Sequence, residues 1–210
     1  RRVLDLRGED PEALNAIGDI YASQENWRDL VDILEREVSI ADDDEFRVQV
    51  YADLGRIWYD KLERDRNALD NWERVLDIDP TNTGALFSIA EIHRAAQQQH
   101  ERVDTLNLVI EVGAATLEDP VIENVYMQLG YLYSTELQQP MDAVDSYNRA
   151  LEVNPANFEA LDALEHIHRT EAMWEDCIQV MERRAQVLQD PNQQIAQLLS
   201  VARMWAAEAE

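Results

Sequence analysis

Six octets of this chain fall into register when laid beneath one another: LNAIGDIY (14–21), YADLGRIW (51–58), LFSIAEIH (86–93), YMQLGYLY (126–133), LDALEHIH (161–168) and LLSVARMW (198–205). Each opens on a large apolar residue and has an aliphatic at its fourth place. An aromatic or a histidine stands at the eighth, and five of the six have Gly or Ala at the fifth. Places one, four and eight recur at i, i+3 and i+7, one stripe of an α-helix. Each of the first five octets is followed by a second amphipathic stretch: WRDLVDILEREV, NALDNWERVLDI, RVDTLNLVIEV, DAVDSYNRALEV and WEDCIQVMERRA. The unit is helix, turn, helix. One such hairpin cannot bury both of its faces, so a core requires that neighbours stack.

Measured between the small slots Gly18, Gly55, Ala90, Gly130, Glu165 and Ala202, the period is 37, 35, 40, 35 and 37 residues. Units following DIDP (77–80) and EVNP (152–155) begin directly after a helix-ending proline. The alternate junctions, SIADDDEFR and AATLEDPVIEN, are longer and acidic. The extra residues thus fall where insertion costs least.

This pattern resembles the tetratricopeptide repeat family, whose signature is W-x₂-L-G-x₂-Y, then A-x₃-F, then P. The second unit reads Tyr51-x₂-Leu54-Gly55-x₂-Trp58 with Ala68-x₃-Trp72 and Pro80. The fourth reads Tyr126-x₂-Leu129-Gly130-x₂-Tyr133 with Ala143-x₃-Tyr147, Ala150 and Pro155. Both carry one residue more between glycine and alanine slots than the consensus, and Arg102 and Cys177 occupy small-residue slots in odd-numbered units. The resemblance covers essentially the whole chain. It implies an all-α, right-handed superhelical solenoid of antiparallel helix pairs over residues 1–210. The units are expected at about 11–47, 48–82, 83–122, 123–157, 158–194 and, in part, 195–210, with 1–10 as the tail of a preceding second helix and the native chain continuing beyond 210.

Charge narrows the partners. Forty-three acidic against 18 basic residues give −25, which repels phosphate backbones and anionic membranes. Nucleic acid is therefore not expected as a partner, and no apolar run reaches membrane-spanning length. Lys61 is the only lysine; high-salt adaptation and GC-rich codon usage are both open as the reason. A single cysteine, Cys177, excludes an internal disulfide framework. The arginine bias and paired repeat style lead us to expect a bacterial chain, with cytoplasmic placement favoured.

The stretch LEHIHRTEAMWEDC (164–177) gathers two histidines, the cysteine and four acids. The repeat explains it without chemistry. His168 holds the aromatic slot of Tyr21, Trp58, His93, Tyr133 and Trp205, and its ring nitrogens are expected to find a local hydrogen bond. His166 lies roughly 200° around the helix and cannot chelate with it. Cys177 fills a small buried slot, and Trp174, like Trp27, is assigned to the inter-helix core. Glu165 breaks the small-slot rule and is expected to pair with Arg169, one turn on. No metal, cofactor or catalytic site is expected, since C-x₂-C, H-x₃-H, phosphate-binding and nucleophile motifs are all missing. ADDDE (41–45) lacks the calcium-loop spacing and reads as acids at a helix N-terminus.

The resemblance implies a non-enzymatic protein–protein interaction scaffold that binds a protein or peptide segment along the first helices of its units. Groove stripes carry over as Glu12, Asn15, Asp19 and Ala22; Gln49, Ala52, Arg56 and Tyr59; Gly84, Phe87, Glu91 and Arg94; Asn124, Met127, Tyr131 and Ser134; and Glu159, Asp162, His166 and Arg169. Arg56, Tyr59, Phe87, Arg94, Met127, Tyr131, His166 and Arg169 are the candidate contacts, because such side chains dominate binding hot spots. Arg56 and Arg94 suggest an acidic ligand, unless they serve to neutralise nearby acids. The lysine-rich clamp for acidic chaperone tails is missing, since Lys61 lies in a turn and Asn15 has Asp19 one helical turn later. The alternatives are a structural spacer that self-associates through exposed solenoid ends, or a regulatory region of a larger enzyme.

Overall fold

The computed structural model describes residues 10–208 as eleven α-helices, with no strand among them. They are α1 (Pro11–Ser23), α2 (Trp27–Ile40), α3 (Asp44–Asp60), α4 (Asp65–Ile78), α5 (Thr83–Ala95), α6 (Gln99–Gly113), α7 (Asp119–Tyr131), α8 (Pro140–Val153), α9 (Phe158–Thr170), α10 (Trp174–Val187) and α11 (Pro191–Glu208). All eleven coincide with the helices read from the octets and the stretches after them. α3, α7 and α11 begin four residues before the expected unit boundaries at 48, 123 and 195. The expected tail of a preceding helix, residues 1–10, falls on 1–9, outside the described residues. The helices divide into two compact units at Val112–Gly113.

Helix ends follow one chemical scheme. The first helices α1, α3, α5 and α9 are capped by Asp10, Asp43, Asn82 and Asn157. Each of these side-chain oxygens accepts the backbone N–H three residues on, at 2.9–3.0 Å. Asp43 and the acids after it therefore act as cap and first turn of α3, as ADDDE suggested. The second helices α2, α4, α8 and α10 have no such side-chain cap. The chain enters them from a turn containing one left-handed residue: Glu25, Glu63, Gln138 and Ala172, with Gln97 before α6, at φ between 53° and 58°. The residue after each donates its N–H to the carbonyl of the aromatic slot, as Asn26 does to Tyr21 and Met173 to His168.

In the second and fourth hairpins this bond spans six residues rather than five: Arg64 to Trp58 and Gln139 to Tyr133. That is the extra residue noted against the consensus. It is absorbed as a wide turn, a π-helical segment at Leu132–Glu136 and a bond from Leu62 N–H to the Ile57 carbonyl.

Each unit is held by apolar contact between hairpins. In the first, Val31 of α2, Val50, Tyr51 and Leu54 of α3, Ala68, Trp72 and Val75 of α4, and Ala85, Ile89 and Ile92 of α5 form one buried cluster. In the second, Ala143, Val144, Tyr147 and Leu151 of α8 pack with Leu161, Leu164 and Ile167 of α9 and Val180 of α10. Cys177, Ile178 and Met181 of α10 then pack with Val201 of α11. No hairpin keeps its core to itself. A wholly buried leucine such as Leu54 or Leu161 contributes roughly 2 kcal/mol of transfer free energy.

Two linkers add polar ties. The Asp79 carboxylate accepts from the Thr81 N–H and hydroxyl and from the Asn82 amide, which hold its carboxyl below the usual range, the Thr81 hydroxyl most. In the second unit, Asn154 and Asn157 both donate to Glu123 Oε1, at 2.9 and 2.6 Å, tying the α8–α9 linker back to α7.

Candidate functional site

In the first unit the stripes read from the sequence line open grooves. Between α3 and α5 lies a groove of about 600 Å³ whose walls include Gln49, Ala52, Arg56 and Tyr59 on one side and Gly84, Phe87 and Glu91 on the other. Trp72 lines it as well, reaching it because Gly55 has no side chain to block the ring. Arg56 and Asp60 continue into a second groove, of about 350 Å³, shared with Asn15, Asp19 and Ala22 of α1. Asn15 and Asp19 continue in turn into a third, of about 580 Å³, which Glu12, Ile40, Asp42, Asp43 and Phe46 also line. Glu37 of α2 lines both of these.

The first-unit candidates are thus gathered, with qualifications. Arg56, Tyr59 and Phe87 share one groove, while Arg94 lies outside its lining. Tyr59 is half-buried and packs against the core cluster, so its ring is fixed in place. Burial, and then the charge of Glu91, raise its hydroxyl above the ordinary tyrosine range. Both arginines are already paired one turn back. Arg56 Nη1 lies 3.1 Å from Asp53 Oδ1, and Arg94 binds Glu91 through two nitrogens, one of them Nε at 2.8 Å to Oε2. The bond to Arg94 lowers the Glu91 carboxyl, and Glu91 raises the Arg94 guanidinium. The case for an acidic ligand therefore loses its footing: neither arginine presents an unneutralised charge.

In the second unit, α7 carries Met127, half-buried against the core cluster, and Tyr131, 54% exposed. α9 carries His166 and Arg169, both exposed. Arg169 Nη2 lies 2.7 Å from Glu165 Oε1, the expected pair, and Arg184 of α10 reaches the other oxygen at 3.3 Å while also binding Asp162. An acid is accommodated in the small slot because α10 supplies that second guanidinium.

Two expectations need correction. Trp174 is 39% exposed and lies outside the core, at the start of α10. His168 is buried as expected, but its Nδ1 has no hydrogen-bond partner. Burial holds its pKa below the ordinary histidine value, so the ring is neutral at pH 7. Cys177 is wholly buried, and burial pushes its thiol up and away from reactivity. Among the described residues no cluster of three His, Cys, Asp or Glu side chains could hold a metal ion, and no helix is long and apolar enough to cross a membrane.

Glu37 was not foreseen. It is only 7% exposed, and no described group hydrogen-bonds or ion-pairs with it. Burial, and then the charge of Asp19, raise its carboxyl. The charged groups facing it across the two grooves are Glu12 and Asp19 on α1, Asp42 and Asp43 before α3, and Asp53, Arg56, Asp60 and Lys61 on or just beyond α3. A carboxyl whose folded pKa lies above its unfolded one destabilises the fold at neutral pH, and the penalty fades as pH falls and the group protonates. Glu37→Gln is therefore expected to raise unfolding free energy at pH 7 by about 1 kcal/mol, the scale of relieving a partly desolvated carboxylate of a neighbouring like charge. The gain should shrink in urea titrations at progressively lower pH; a gain independent of pH would show that the charge is not its source.

Stacked antiparallel hairpins with a small residue at most helix crossings place the chain among the α-helical repeat proteins. Residues 13–48 and 123–157 each match family models described as tetratricopeptide repeat, so the chain carries repeats of that family. Over 92 residues, 44% of the chain, it is 33% identical to anaphase-promoting complex subunit 3 of Dictyostelium discoideum, of whose length it spans 9%. Three solved structures share the fold. MamA is 14% identical with a TM-score of 0.57, covering 86% of this chain and 92% of its own. YrrB, described as a TPR protein with an unusual peptide-binding site, is 13% identical at 0.55, covering 93% and 95%. A tetratricopeptide repeat protein of Parabacteroides merdae is 14% identical at 0.58, covering 96% and 76%. Repeats of this family are protein–protein interaction modules, and the chain is a scaffold of that class.

Proposed function

We propose that the chain binds a peptide segment of a partner protein along the first helices of its units, with the α3–α5 groove as one principal contact. The observation that carries this is the Tyr59–Phe87 pair. Both rings line a groove of about 600 Å³ and both are half-buried, so they offer large area with little side-chain freedom left to lose. Met127, Tyr131, His166 and Arg169 supply the corresponding surface on α7 and α9 in the second unit. Arg56 and Arg94 position neighbouring acids rather than acting as free anion receptors.

A peptide selected against the 210-residue chain by phage display tests this, with affinity read by fluorescence anisotropy. Tyr59→Ala combined with Phe87→Ala is expected to weaken binding by roughly tenfold or more, the scale of losing two hot-spot aromatics. Circular dichroism should report unchanged helicity. Undiminished affinity in the folded double variant would place the binding surface elsewhere.

A further inference from the structure

The third groove of the first unit differs in kind from the aromatic one. Its charged lining is wholly acidic: Glu12, Asp19, Glu37, Asp42 and Asp43. Phe46, 41% exposed, and Ile40 provide apolar surface beside them. Acids alone would mean little in a chain carrying −25. What sets this groove apart is Glu37, more than nine-tenths buried, lining the cavity and lacking a hydrogen-bond or ion-pair partner among the described residues. A buried carboxylate is ordinarily paired, because desolvating it alone is costly. Its place aggravates this: it lies in the last turn of α2, where exposed carbonyls repel an anion, and no basic residue shares that turn. Field, burial and helix end all call for a cation at one point.

We propose that this groove is a socket for one arginine or lysine side chain of a partner protein segment, with Phe46 and Ile40 contacting an apolar residue next to it. The cation meets Glu37 at the inner end and Asp19 at the side, and arginine suits the site better because its fork can bridge two carboxylates. The inference deepens the groove reading above and rests on it. The middle cavity shares Asn15 and Asp19 with the third and Arg56 and Asp60 with the first, so one extended segment can lie across Tyr59 and Phe87 and present its cation to Glu37.

The test uses the 210-residue chain and a short synthetic peptide alternating leucine and arginine, at physiological salt. A second peptide carries citrulline, the neutral isostere, in place of arginine. Glu37→Gln is expected to weaken the arginine peptide by roughly tenfold, the scale of breaking a desolvated charge pair. The citrulline peptide should bind the parent chain correspondingly weakly and lose nothing further on Glu37→Gln. The pair Glu73→Gln with Asp77→Asn, exposed on α4, removes two charges elsewhere and should leave affinity nearly unchanged. The variant should melt no lower than the parent, so lost binding cannot be lost fold. Equal losses from the α4 pair, or an arginine peptide indifferent to Glu37→Gln, overturns the socket. Binding that ignores Tyr59→Ala with Phe87→Ala overturns the groove reading instead; sensitivity to those two with indifference to Glu37 overturns the socket alone.

Discussion

Replacing Gly130 by leucine is expected to cost about 3 kcal/mol of unfolding free energy, the upper end of ordinary overpacking. A Cβ built on Gly130 would lie 2.6 Å from Tyr147 Cε1 and 2.7 Å from its Cζ. The atoms it meets belong to a rigid ring, 5% exposed, packed in the core with Leu151, Leu161 and Leu164. Retreat would therefore strain α8 or open the α8–α9 contact. Gly55 stands in the same relation to Trp72, whose Cε2 would lie 2.6 Å from an added Cβ. Gly18 does not: its nearest neighbours, Ile33 and Leu30, lie at 3.6 Å, ordinary contact distance. Gly18→Ala should accordingly stabilise by up to about 1 kcal/mol through helix propensity. Urea unfolding of Gly130→Leu, Gly55→Leu and Gly18→Ala distinguishes a steric slot from a general glycine effect. A uniform response would mean that these crossings are not where the hairpins meet most closely.

That contrast marks the boundary of what the sequence could reveal. Helix positions were legible because the octet stripe is a local, periodic signal, and the caps Asp10, Asp43, Asn82 and Asn157 act within three residues. The stripes on α1, α3 and α5 that line the cavities came instead from the resemblance to tetratricopeptide repeats, carried over residue by residue once the register of the octets was set. Which glycine is tight was not legible from the octets, since Gly18 and Gly55 occupy identical slots. The difference lies in the partner helix, an aromatic ring over Gly55 and branched aliphatics near Gly18. Trp174 was misassigned by analogy with Trp27. The Trp27 ring is half-buried under the Lys61 ammonium at 5.4 Å, whereas Trp174 remains 39% exposed. Arg56 and Arg94 were open to two readings, ligand contact or neutraliser of nearby acids, and only the side-chain positions show each paired with the acid three residues back. Glu37 had no sequence signature at all, because an acid in an amphipathic helix reads as solvent-facing until the helices beside it are placed.

Glu165→Ala should lower stability by about 2 kcal/mol, the range of a hydrogen-bonded charge left without its partner. This is so even though alanine is the residue the repeat favours at that slot. Glu165 is only 17% exposed, and its two oxygens engage guanidiniums from two directions: Arg169 on its own helix and Arg184 on α10. Arg184 is itself 20% exposed, and its Nε is already buried without a partner. Removing Glu165 leaves that guanidinium with Asp162 alone, whose side chain is 65% exposed and holds it from the solvent side. Alanine would recover helix propensity of at most a few tenths of a kcal/mol over glutamate, too little to offset a stranded charge. Arg184→Met in the Glu165→Ala background should then restore most of the loss, because an unbranched apolar side chain fills the α9–α10 contact and leaves no buried charge unpaired, Arg169 and Asp162 being exposed. The double-mutant cycle, read by urea unfolding, should give a coupling of about 1–2 kcal/mol. Additive losses would mean that the two residues act independently and that the acid sits in its slot for a reason other than Arg184.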